Sequence, residues 1–159
     1  MSSSRPRRRP ASLIRTYLRT GTRSRADVAA YLRRRGLSPT AALDVTRALQ
    51  RCGAVDDRAC AKLWMQRLAD EGYAWPTIRE RLRKKQLSER LIHELLTDAR
   101  HEPDDRRLRA IATARLARLP ASDPRRHRRL ARYLASRGFD PDLITQVLAE
   151  LTSDPISDD

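Results

Sequence analysis

The chain has 159 residues, 34% charged, 40% hydrophobic and only 4% aromatic, which suits one ordinary domain rather than two large ones. Five glycines and few β-branched or aromatic residues argue against a sandwich or barrel, and no apolar run approaches the roughly 18–20 residues of a membrane span. Thirty-four Lys+Arg against 20 Asp+Glu leave a formal net charge of +14, which points to a polyanionic partner.

In chain order, Leu13, Ile14, Tyr17 and Leu18 recur at helical spacing and predict a helix over 11–20, closed at Gly21-Thr22. A second helix is expected over 24–35 and ends at Gly36, where a left-handed residue fits without steric penalty. After Leu37, Ser38 suits the cap and Pro39 the first position of a third helix over 39–52. Ala61, Leu63, Trp64 and Leu68 predict a fourth over 56–71, opened by Asp56 and Asp57, whose carboxylates suit capping and the helix dipole. The break Gly72-Tyr73-Ala74-Trp75-Pro76 leads to a fifth over 75–85, and Ser88 caps a sixth over 88–101. Leu108, Ile111, Ala112, Leu116 and Leu119 predict a seventh over 104–119. Asp123-Pro124 reads as the cap and first-turn proline of an eighth over 123–137, and Gly138, Phe139, Asp140 and Pro141 introduce a ninth over 140–152.

The chain repeats itself. Residues 28–49 align with 130–151 at constant offset, pairing Tyr31 with Tyr133, Leu32 with Leu134, Arg35 with Arg137, Gly36 with Gly138 and Pro39 with Pro141. A middle copy places Ile78, Leu82, Leu87, Ser88, Ile92 and Leu95 at the positions of Val28, Leu32, Leu37, Ser38, Ala42 and Val45. The fold class expected is therefore all-α, an elongated tandem array of three three-helix repeats. The repeats are bounded at 11–55, 56–102 and 103–152, between a disordered basic N-terminus (1–10) and a disordered acidic tail (153–159).

The charge is uneven. Residues 1–35 hold eleven arginines against Asp27 and residues 106–137 eleven against Asp123, while 36–105 is balanced and 138–159 has six acids and no base. Arg33, Arg34 and Arg35 end the second helix of the first repeat. Arg79, Arg81, Arg83, Lys84 and Lys85 occupy that helix in the second, and Arg125, Arg126, Arg128, Arg129, Arg132 and Arg137 in the third. A stripe along equivalent helices would suit a helical polyanion or a protein filament with nucleic acid inside it.

No catalytic constellation stands out. His93, His101 and His127 have no metal-ligand partners at useful spacing, Cys52 and Cys60 form no second pair, and no glycine-rich phosphate loop is present. Trp64 and Trp75 read as packing anchors. Neither a secretory signal nor a disulfide framework is expected, so the expectation is a cytoplasmic monomer without enzyme activity, metal or cofactor.

The run Gly53-Ala54-Val55-Asp56-Asp57-Arg58-Ala59-Cys60-Ala61, followed by Arg67, Gly72, Ile78, Leu82 and Lys85-Gln86-Leu87, resembles the middle repeat of the RecX family of recombination regulators. Tyr133-Leu134-Ala135-Ser136-Arg137-Gly138-Phe139 is similar to the closing repeat. Cys60 stands where an aromatic is usual, Ala74 replaces a common glycine and Gln86 the turn glycine. The resemblance implies tandem three-helix repeats that bind RecA, lie in the groove of the RecA–single-stranded DNA filament, and restrain its ATPase, strand-exchange and coprotease activities. Free DNA is a further partner to consider, and a direct duplex-binding nucleoid or transcriptional protein is the alternative reading. A pure scaffold for another protein is a third.

Overall fold

A computed structural model describes residues 10–99 and 103–153. Among them it holds nine α-helices and no strand: α1 (Pro10–Arg19), α2 (Arg25–Arg34), α3 (Pro39–Arg51), α4 (Asp57–Asp70), α5 (Trp75–Lys84), α6 (Glu89–Ala99), α7 (Asp104–Leu116), α8 (Arg126–Ser136) and α9 (Pro141–Ser153). No helix of the described residues is long and apolar enough to cross a membrane. Pro10 and Ser153, placed in the disordered ends by the sequence reading, are instead helical. The rest of those two expectations, and the end of the sixth helix at 100–101, lie outside the described residues.

The helix ends follow from local chemistry. Ser24 Oγ accepts from Asp27 N at 3.1 Å while Asp27 Oδ2 accepts from Ser24 N, a reciprocal box that satisfies two otherwise unpaired N–H groups at the start of α2. Ser38, Ser88 and Asp140 each accept from the backbone N–H three residues on, at 3.2, 3.3 and 3.2 Å, so all three expected caps form. Pro39 and Pro141 are the first residues of α3 and α9, where a missing N–H breaks no helical bond.

The junction before α8 departs from expectation. α7 ends at Leu116 rather than 119, because Arg118 N and Leu119 N bond to carbonyls three residues back and wind the chain into a tighter turn. Asp123 does accept from Arg125 N at 2.9 Å, but Arg126 N bonds to Asp123 O in a separate turn, and α8 begins only at Arg126. Pro124 therefore sits in that turn and not in the helix.

The repeat register read from the sequence coincides with burial. Val28, Ile78 and Leu130 are equivalent, as are Leu32, Leu82 and Leu134, and Ala42, Ile92 and Ile144; all nine are at most 4% exposed. Each large side chain of this kind contributes roughly 1.5–3 kcal/mol by leaving water. Such burial at the same place in every repeat is what makes a three-helix unit of weak helices hold together.

The described residues fall into two compact units. One contains those up to Trp64 with Leu82–Ile92; the other contains Met65–Arg81 and those from His93 onward, so α4, α5 and α6 each run from one into the other. In the first unit Ile14, Val28, Leu32, Ala42 and Val55 form a core flanked by Tyr17, Tyr31, Leu37 and Leu49. In the second, Ala74, Leu108, Ala112, Leu130, Leu134, Phe139, Ile144 and Val147 form a core.

The turn after the second helix of each repeat carries a positive φ: +92° at Gly36, +56° at Gln86 and +84° at Gly138. Space around Gly36 is open, whereas a Cβ on Gly138 would overlap Thr77 Oγ1. Gly36→Ala should therefore lose about 1–2 kcal/mol from backbone strain alone. Gly138→Ala should lose about 2–4 kcal/mol, because crowding adds to strain, and Thr77→Ala should recover the crowding part. Gln86→Gly should be neutral or stabilise by about 1 kcal/mol. Urea denaturation followed by circular dichroism measures all four; equal losses at Gly36 and Gly138 would contradict the close approach.

Candidate functional site

Within the first unit, Arg33 and Arg34 close α2 and Arg35 caps it; all three are exposed. Cations there also complement the helix dipole, so part of their effect is on α2 itself. Arg83 and Lys84 end α5 at the repeat positions of Arg33 and Arg34 and are exposed too. Arg83 Nε and Nη2 grip the Glu89 carboxylate at 2.5 and 3.0 Å. Lys85 is half-buried, its Nζ held 4.4 Å from the centroid of the Trp64 ring.

Within the second unit, Arg79 is exposed on α5, and Arg125, Arg128, Arg129 and Arg132 follow at spacings of three and four along one side of the α8 segment. All four are exposed, while Arg126 is half-buried. The buried face of α8 is Leu130 and Leu134. Arg129 Nη1 reaches Asp123 Oδ2 at 3.1 Å across largely exposed surface, a pair worth about 0–1 kcal/mol. The Asp123 carboxyl lies below the ordinary carboxylate range, chiefly because Arg125 N–H donates to it and then because Arg129 does. Glu150 is lowered likewise by the Gln146 amide and Arg109.

Asp56 and Asp57 divide two tasks. Asp56 Oδ1 accepts from Arg58 N at 2.8 Å and Ala59 N at 3.2 Å, capping α4 as expected. Asp57 turns away and accepts from Arg25 N at 2.8 Å and Arg25 Nε at 2.7 Å, so it fastens the start of α2 to the start of α4. Gly36 and Gly138 are the two turn residues already described.

Arginine–aromatic stacking is the feature that charge counting passes over. The cation just before each turn lies over a ring: Arg35 at 5.2 Å from Tyr31, Lys85 over Trp64, and Arg137 at 4.3 Å from Tyr73 and 5.0 Å from Tyr133. In the first unit Tyr17 and Tyr31 stack at 4.0 Å between Arg23 and Arg35. In the second, Arg81, Tyr73, Arg137, Tyr133 and Arg115 alternate, with guanidinium-to-ring distances of 3.6–5.0 Å. Buried Arg107 lies 4.2 Å from the centroid of buried Trp75 and donates to Ala69 O at 3.3 Å. Tyr31 and Tyr133 stand four residues before Arg35 and Arg137, a spacing that signals the local contacts. Arg35 and Lys85, counted as binding residues from the sequence, thus also serve to hold their own repeats.

Among the described residues no group of three or more His, Cys, Asp or Glu could hold a metal ion. Cys60 is buried, and burial, with Asp27 and Asp57 nearby, pushes its thiol up to about 11. Cys52 is exposed. A thiol reagent at about pH 8 should label Cys52 rapidly, and Cys60 only after denaturation, because the thiolate is the reacting form. Two fast labels per native chain, read by mass spectrometry, would contradict the packing.

Residues 103–148 match the family description "RecX, third three-helix domain". The fold is similar to the crystal structure of RecX from Lactobacillus salivarius, with a TM-score of 0.65 and 18% identity over 86% of this chain and 90% of that one. It is also similar to a crystal structure of regulatory protein RecX, with a TM-score of 0.64 and 21% identity over 86% of this chain and 68% of that one. No curated protein sequence matches.

Proposed function

We propose that this chain is a member of the RecX family and a regulator that binds RecA and RecA–single-stranded DNA filaments, a reading supported by the match of residues 103–148 to that family's third three-helix domain and by the likeness of the fold. Its effect is mainly inhibitory, restraining ATPase, strand exchange and coprotease activity in DNA repair, recombination and the SOS response. It acts in the cytoplasm, as a monomer, through binding alone. The observation that carries this reading is the family match at residues 103–148, and the exposed cations are its support.

The proposed binding residues are, in the first unit, Arg33, Arg34, Arg83 and Lys84 and, in the second, Arg79, Arg125, Arg126, Arg128, Arg129 and Arg132, with Arg35 and Lys85 contributing what their ring contacts leave. Each exposed contact is weak alone. Together, contacts to phosphate make binding steeply salt-dependent, by about 0.7–0.9 in log–log slope per phosphate neutralised.

The Arg125, Arg128, Arg129 and Arg132 row also fits direct engagement of duplex phosphates, which is the alternative reading. Arg34→Glu with Lys84→Glu and Arg128→Glu changes three exposed side chains. The triple variant should keep its helicity, since surface changes of this kind cost about 0.5 kcal/mol or less each. It should nevertheless lose inhibition of RecA ATPase on single-stranded DNA. Equal inhibition by wild type and variant would remove the proposed surface, and no inhibition by wild type would remove the RecA reading. Tight duplex binding without RecA, with inhibition tracking duplex affinity, would favour the alternative.

A further inference from the structure

The first unit contains a groove of about 400 Å³ between α2 and α3, bordered by the Arg25–Asp57 pair and by Ala42 of the core. The apolar part of its floor is Ala26 and Ala29 from α2 and Leu43 from α3, set among the polar Thr46, Gln50 and Gln86. Leu43 is one of two large hydrophobic side chains that stand exposed among the described residues. Its rim carries three guanidinium groups, from Arg25, Arg33 and Arg47. Asp57 engages Arg25, and Asp44 approaches Arg47 only to 3.8 Å across exposed surface. Arg33 is exposed and ion-pairs with none of the described residues.

Two kinds of polyanion could meet this rim, and the floor separates them. Nucleic acid would place phosphates on the arginines, but no aromatic ring lines the groove for a base to stack on, and phosphates would leave the methyl-lined floor unfilled. A peptide with an aliphatic or aromatic side chain between carboxylates fills both, its apolar group on Ala26, Ala29 and Leu43 and its carboxylates on the guanidinium forks. We propose that the α2–α3 groove is a docking site for a short acidic protein segment carrying one bulky apolar anchor. This does not depend on which protein supplies the segment, so it stands or falls separately from the RecA reading.

The test uses fluorescence anisotropy with the full chain and a labelled short peptide of Asp and Glu around one central Phe. The controls are the same peptide with Ser for Phe and a single-stranded oligothymidylate as competitor. Leu43→Glu and Arg33→Glu should each weaken peptide binding about tenfold, equivalent to about 1.4 kcal/mol. Ser for Phe should weaken it at least as much. Arg15→Glu makes the same charge change at another exposed site of the unit and should weaken binding less than about twofold, as expected for diffuse, screened attraction. Circular dichroism confirms folding of each variant. The proposal is overturned if the peptide does not bind, if the Ser control binds equally, or if Arg15→Glu matches Arg33→Glu. It is overturned also if oligothymidylate displaces the peptide while Leu43→Glu has no effect, since the groove would then be a phosphate site.

Discussion

After the second helix of each repeat the backbone passes through one left-handed residue, at Gly36, Gln86 and Gly138. This reverses the chain in two or three residues and puts one hydrophobic side chain, a capping side chain and a new helix in fixed sequence. It also fixes the C-terminal end of the preceding helix, and with it the cation that stands just before the turn. In the third repeat the same turn lies close against another segment. Ala74 N donates to Arg137 O at 3.1 Å, and Thr77 fills the space a Gly138 side chain would need. That contact joins α5 to the α8–α9 turn within the second unit, and the stack from Arg81 through Tyr73, Arg137 and Tyr133 to Arg115 lies beside it.

Arginine in this protein therefore does two different jobs. Some guanidinium groups lie over rings, where a weakly hydrated cation gains from the ring face at little desolvation cost. Arg107 takes this furthest, being buried between Trp75 and the Ala69 carbonyl with Asp104 Oδ1 at 3.8 Å. Others, such as Arg34, Arg128 and Arg132, stand in solvent on helix faces opposite the core. The first group gives a protein with few aromatic residues an additional way to pack small repeats. The second leaves a positive field free to act on a partner. Lysine, a compact and strongly hydrated charge, would perform the first job less well.

The division into two units cuts across the repeats, since α4, α5 and α6 each contribute to both. The middle repeat nevertheless buries apolar side chains from all three of its helices, among them Cys60, Ile78, Leu82, Ile92 and Leu95. The capping roles of Asp56 and Asp57 fit that arrangement: one carboxylate serves its own helix and the other reaches back to α2.

The helices, their caps and the turns were legible in the sequence because each depends on residues within about four positions of one another, and the repeat register because that local pattern recurs along the chain. Ser38 with Ala41, Asp140 with Leu143, and the burial of Leu32, Leu82 and Leu134 are of this kind. Local reading failed at Asp123-Pro124, where a cap hydrogen bond forms without a helix directly behind it. Which arginines pack and which stay available was decided by tertiary structure. The partners that settle it, Trp75 for Arg107, Tyr73 for Arg137 and Asp57 for Arg25, lie about thirty or more positions away in the chain. Helical periodicity does not reach that far: a charge count treats every guanidinium alike, and only folding brings a ring or a carboxylate to some of them.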